Sequence, residues 1–197
     1  MRRSHVSLIF ALFLFCLAAE ISPAAERPTE WAQPVTLKHA ENFFRVTPDF
    51  YRAAQPTEDA MRAYAGFGIK TVVNLRNFHD DVEVAAGTTL HLRRVAINTW
   101  DIEEHEVAEA LALILTSPKP VLLHCLHGAD RTGLVTAVYR ITQQGWSKAD
   151  AKKEMMEGGF GFHSVWQNIP TWLDDMDESR MKRLIDARVQ ALSGRSD

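Results

Sequence analysis

Cysteine is scarce in this chain, with two in 197 residues. An internal disulfide framework is thereby excluded. Blocks of one charge are missing too. The 25 acidic and 22 basic residues are interspersed, so charge points to neither nucleic acid nor a membrane surface as a partner. No internal repeat is present. Beyond residue 25 no apolar run is long enough to span a bilayer. What remains has the balance of a globular protein, 46% apolar and 24% charged. Its length suits one domain with one real core.

The first 25 residues differ from the rest. Arg2 and Arg3 form a positive start, residues 6–19 are almost wholly apolar, and small residues follow at Ser22, Ala24 and Ala25. This layout predicts a secretory signal peptide over 1–25, cut near Ala24 or Ala25. The alternative is an uncleaved anchor, but the apolar run falls short of the ~20 residues a span needs. Bulky Phe15 before Cys16 argues against a lipoprotein site. The expected address is therefore outside the cytoplasm, periplasmic or secreted, with no stable membrane span after cleavage. Cleavage removes two arginines and one glutamate, taking the net charge from −3 to −4. It also removes Cys16 and leaves Cys125 alone. A lone thiol in an oxidising compartment is a liability unless it is used.

Residues 26–42 read as a linker or N-terminal arm, and residues 43–192 as the single domain. Short strands are expected at 43–46 and 50–53, around the turn at Thr47, Pro48 and Asp49. A helix is expected from about Pro56 to Phe67, ended by Gly66 or Gly68. A buried strand follows at 69–75, a short helix at 80–86 stopped by Gly87, and another strand at 90–97. After a loop at 98–101, the spacing of Val107, Ala110, Leu111 and Ile114 predicts a helix over 102–115. Val121 to His124 is an apolar central strand. The next helix starts at Arg131 or Thr132 and runs to about Gln144. Ser147 caps a helix through Met156, Gly158 to Phe162 break it, and helical segments fill 164–192. Residues 193–197 should fray. Strand–helix alternation gives an α/β three-layer domain, its mostly parallel central sheet flanked by helices.

Residues 121–133, VLLHCLHGADRTG, organise this plan. A strand delivers Cys125 to the C-terminal edge of the sheet, where open α/β sheets place their ligand crevice. The loop Leu126, His127, Gly128, Ala129 and Asp130 then turns into a helix N-terminus. Its backbone N–H groups and the helix dipole favour an anion there. Only a thiolate is a good nucleophile, and loop amides, helix end and Arg131 all favour that form. The planar fork of Arg131 matches two phosphate oxygens. Gly128 lets the loop turn its amides inward. Thr132 places a hydroxyl near the sulfur, suited to stabilising it as a leaving group. His124 is expected to orient the loop through hydrogen bonds.

The stretch 124–133, HCLHGADRTG, is similar to the H-C-x5-R-[ST]-G loop of cysteine-dependent protein tyrosine and dual-specificity phosphatases. Residues 68–76, GIKTVVNLR, resemble a strand segment of the compact dual-specificity branch. The resemblance covers roughly residues 43–175. It implies a phosphotyrosine protein phosphatase-like fold and a phosphoric monoester hydrolase acting through a phosphocysteine at Cys125, with Arg131 binding phosphate. The implied substrate is a phosphorylated protein or a small phosphate ester, and neither metal nor other cofactor is needed. In the family an upstream loop Asp usually protonates the leaving group. Asp101 sits on such a loop, though it could equally cap the next helix. Glu103 and Glu104 suit its first turn. Asp130 is the other candidate acid: Cys-x-x-Gly-x-Asp-Arg-Thr also resembles the myotubularin lipid phosphatases. Alternatively, Asp130 fixes the loop or pairs with Arg131.

No lysine lies in the loop, which disfavours highly phosphorylated inositol rings. Arg93 and Arg94 could add charge from elsewhere. Trp100 could wall the pocket, and Phe160, Phe162, His163 and Trp166 could form a second wall or simply pack. Non-protein esters (inositol phosphate, phosphoinositide, phosphosugar) and a non-catalytic phosphate-binding module remain alternatives. Sulfur transfer usually has a shorter Cys-to-Arg spacing, and arsenate reduction needs extra thiols.

Overall fold

The computed structural model describes residues 26–194; the expected signal peptide, Cys16 and the last three residues lie outside them. Among the described residues, six strands form one sheet: β1 (Gln33–Pro34), β2 (Phe44–Thr47), β3 (Phe50–Ala53), β4 (Thr71–Asn74), β5 (His91–Arg94) and β6 (Val121–His124). Their order is β1-β2-β3-β6-β4-β5. β6 lies between β3 and β4 and runs parallel to both, and β4 and β5 are also parallel. Only the β1–β2–β3 side is antiparallel. The expected α/β architecture is therefore present.

Among the described residues, six helices cover the two faces: α1 (Glu58–Phe67), α2 (Glu104–Thr116), α3 (Asp130–Gln144), α4 (Lys148–Glu157), α5 (Asn168–Asp175) and α6 (Glu178–Ser193). Side chains alternate across a strand, so neighbouring residues feed different cores. Tyr51, Val72 and Leu122 pack with Ala60, Met61 and Tyr64 of α1. Phe50, Val73, Val121 and Leu123 pack under α2, α3 and α6. Helix ends follow local chemistry. Thr57 Oγ1 accepts from Ala60 N–H at 3.2 Å at the start of α1, and Gly68, at φ 108°, ends it. Ser147 Oγ accepts from Asp150 N–H at 3.1 Å at the start of α4.

Two expectations change. Residues 80–86 form turns, not a helix. Ala85 N–H reaches Asp81 O at 2.9 Å, but Ala86 N–H closes on Glu83 O at 3.2 Å. One helical bond followed by a tighter one does not propagate. The arm at 26–42 is also more than a linker, because β1 adds an edge strand to the sheet. Ala32 is fully buried, and its N–H donates to Glu154 Oε1 at 2.6 Å. That carboxylate also takes two bonds from the buried Arg140, at 2.7 and 2.8 Å.

Candidate active site

Parallel strands stop together, so β6 places Cys125 beside the ends of β3 and β4. Cys125 is 1% exposed. The loop after it is held from outside by its carbonyls. Leu126 O accepts from Gln55 N–H at 3.0 Å. His127 O accepts from Asn42 Nδ2 at 2.8 Å, and Gly128 O from Arg52 Nη2 at 2.7 Å. In a trans peptide the next N–H points opposite to the carbonyl. The N–H groups of His127, Gly128 and Ala129 are therefore turned inward, as a cradle for an anion. Gly128 has φ 69°, and a Cβ there would lie 2.4 Å from Ala53 O. Only glycine fits that approach.

Arg131 lies in the first turn of α3. Its Nη1 sits 3.5 Å from Leu75 O and 3.4 Å from Ile97 O. These contacts are long for hydrogen bonds, so the fork is steered without being used up. Its Nε is buried with no partner among the described residues, as is Thr132 Oγ1. Buried polar atoms normally have partners. An anion over Cys125 would supply one to the guanidinium.

His124 is fully buried, with Nε2 2.8 Å from Asp81 Oδ2 and Nδ1 3.1 Å from Cys125 O. Asp81 Oδ1 accepts from Gln55 Nε2 at 3.2 Å, and Gln55 Oε1 accepts from Arg76 Nη1 at 3.0 Å. One polar chain thus links Arg76 to the cysteine loop. Arg76 and Arg131 line a cavity of about 200 Å³ with Asn77, Phe78, His79, Thr99, Trp100 and Leu126. Phe78, Trp100 and Leu126 are exposed apolar groups on its rim.

Other predicted residues fall as follows. Asp101 is exposed on the bend next to Trp100. It is not the α2 cap, which is Glu103, with Glu106 accepting from the Glu103 N–H at 3.5 Å. Glu104 pairs with Arg180 at 2.9 Å. Asp130 is 6% exposed and turned away from Arg131 toward His163, whose N–H donates at 2.9 Å and whose Nδ1 lies 2.9 Å from Oδ2. Arg94 holds Arg76 O at 2.9 Å. Arg93 lines a different cavity, beside the end of α2. Phe160 is buried, and Phe162 and Trp166 pack on the same core.

Arg52, Arg76, Asp81 and Asn42 escaped sequence reasoning. Arg52 offered a signal: it follows Phe50 by two on the core-facing side of β3. It is 1% exposed, and its guanidinium carbon lies 3.6 Å from the Phe160 ring centre. Burial pushes its pKa down to about 10, while Glu154 and then Cys125 hold it up. It therefore stays cationic at neutral pH. Burial also lowers the Arg76 pKa, reinforced by Arg131 and opposed by Asp81 and Cys125.

A central parallel strand ending on a buried cysteine, an inward-facing amide loop and a helix-borne arginine six residues on define the cysteine-dependent phosphatase class. The sequence profile of a polymorphic-toxin-system DSP-PTPase phosphatase matches residues 47–145. The chain belongs to this DSP-PTPase phosphatase family. It is 37% identical over 142 residues to the dual specificity protein phosphatase TpbA of Pseudomonas aeruginosa strain UCBPP-PA14, matching 70% of this chain and 63% of that protein. The chain therefore spans 63% of that curated relative's length. A crystal structure of P. aeruginosa TpbA, a cysteine-to-serine variant in complex with phosphotyrosine, superposes with a TM-score of 0.74 at 29% identity, covering 82% of this chain and 99% of that one. The core catalytic domain of the PP-IP phosphatase Siw14 from S. cerevisiae shares the fold, with a TM-score of 0.65 at 22% identity, covering 77% and 95%.

Proposed function

We propose that this protein is a phosphoric monoester hydrolase, a protein tyrosine or dual-specificity phosphatase working through a phosphocysteine. The observation that carries the reading is the cavity over Arg131, cationic at its floor through Arg76 and Arg131 and apolar at its rim through Phe78, Trp100 and Leu126. Such a cleft suits a phosphate attached to an aromatic ring better than one on a polyhydroxylated ring. The Cys125 thiolate attacks phosphorus; the S–P bond forms as the ester P–O bond breaks. Arg131 and the loop amides take the charge that spreads over the equatorial oxygens. Asp101 gives its proton to the leaving oxygen. Asp130 is less free to do so, because its carboxylate is engaged by His163. Water then attacks the phosphocysteine, giving its proton to the Asp101 carboxylate, and the S–P bond breaks to return the Cys125 thiolate. The Thr132 hydroxyl hydrogen-bonds to the departing sulfur, and phosphate leaves. His124 and Asp81 position the loop.

The test is hydrolysis of a phosphotyrosine peptide by wild type and Cys125→Ser. Turnover should fall by at least about 10³-fold in the variant, while the peptide still binds. Equal turnover by the two proteins would refute the reading. We propose further that the protein acts outside the cytoplasm. The start of the sequence supports this, and N-terminal sequencing of the protein from an expressing cell tests it. A mature terminus near Glu26 is expected.

A further inference from the structure

We propose that His127, Asp130 and His163 form a binding site for one divalent transition-metal ion of the Zn²⁺ class, on the rim of the cysteine loop. One donor atom from each residue lies within 4.8 Å of the other two. An inward shift of under about 1 Å per donor reaches Zn–N and Zn–O bond lengths of about 2.0–2.2 Å. Two imidazoles and one carboxylate form an intermediate-softness set, which suits Zn²⁺, Co²⁺ or Ni²⁺ better than Mg²⁺ or Ca²⁺. Three protein ligands leave a fourth position for water.

The two ligand-bearing segments are already fixed against each other. Asn42 Nδ2 donates to His127 O at 2.8 Å and to Phe160 O at 2.9 Å. Arg52 joins Gly128 O to the Phe160 ring, and Arg27 Nη1 donates to Gly158 O at 2.7 Å. An ion would thus meet ligands that cost little to order. The His163 N–H donates to Asp130 Oδ1 at 2.9 Å, an outer contact that orients the carboxylate; Oδ2 and His163 Nδ1, now 2.9 Å apart, would exchange that contact for bonds to the ion. A carboxylate partner alone explains His163 but not His127. The His127 ring is exposed, and its centre lies 4.8 Å from that of His163. The two rings and the carboxylate share one donor focus. The ion takes no part in the proposed reaction; the site stands beside that machinery.

The experiment titrates Zn²⁺ into tag-free, chelator-treated full chain by calorimetry, with Co²⁺ absorption as a second readout. Wild type and Cys125→Ser should each bind one ion, and His127→Ala and His163→Ala should each bind at least about 10-fold more weakly. Bound Co²⁺ should show visible d–d bands without a thiolate charge-transfer band. No binding, binding undiminished in His127→Ala and His163→Ala, or binding lost in Cys125→Ser would each overturn the site. The Cys125→Ser arm lacks the nucleophile, so the result is independent of whether the protein is a phosphatase. If His163→Ala fails to fold, His127→Ala, at an exposed position, decides the matter alone.

Discussion

Replacing Arg52 by methionine tests how the loop is held. The side chain keeps similar bulk, so little cavity opens. Three terms change. The charge-assisted bond to Gly128 O contributes about 1.5–3 kcal/mol. The desolvated cation over the Phe160 ring contributes about 2 kcal/mol. Against both stands relief of a buried cation, worth several kcal/mol. Glu154 keeps Arg140 as its partner, so no carboxylate is stranded. Net stability should change by no more than about 2 kcal/mol, or roughly 4–8 °C in Tm. Activity should suffer more. Without its clamp Gly128 O can swing, and a loop misplaced by about 1 Å costs about 10²-fold. We expect kcat/KM on a phosphotyrosine peptide to fall by about 30–100-fold, with the Arg52→Lys variant between. Activity within about threefold of wild type, in protein shown to be folded by circular dichroism, would refute the clamp.

Other outcomes are expected from other parts of the structure. Gly128→Ala forces a Cβ into Ala53 O and strains a positive φ; activity should be lost, and stability should fall by at least about 3 kcal/mol on urea unfolding. In pH–rate profiles, Asp101→Asn should lose the basic limb of kcat/KM while Asp130→Asn keeps it; the reverse pattern would reassign the acid. Asp177 caps α6 by accepting from Arg180 N–H at 2.8 Å, which holds its carboxyl below its usual pKa. A depressed folded pKa stabilises above the unfolded value of about 3.9 and is lost as pH falls through the folded one. The stability advantage of wild type over Asp177→Asn should therefore be present at pH 6 and shrink below about pH 4 in urea titrations.

The strand, loop and helix around Cys125 were readable because their signals are local. Three apolar strand residues, a glycine that tolerates positive φ and an arginine at a helix start all lie within 13 consecutive positions of the sequence. The supports of the loop were not readable in this way. Asp81 reaches His124 across 43 positions and Asn42 reaches His127 across 85. No periodicity reports such pairings. The Asp81–His124 contact also accompanies the failed helix at 80–86, where a buried carboxylate meets His124 and the chain runs in turns. Arg52 was visible in principle, as a cation at a core-facing position of a short strand. Order along the chain put Asp101 on the loop before α2, and its freedom from the α2 cap emerged only once Glu103 was seen there.

The most direct measurement is acid quench of the protein during turnover, followed by mass analysis of its peptides. The peptide holding Cys125 should carry one added phosphoryl group, and Thr132→Ala should accumulate more of it because loss of the sulfur slows. Steady hydrolysis with an unmodified Cys125 peptide, or with the phosphoryl group on another residue, would contradict the account.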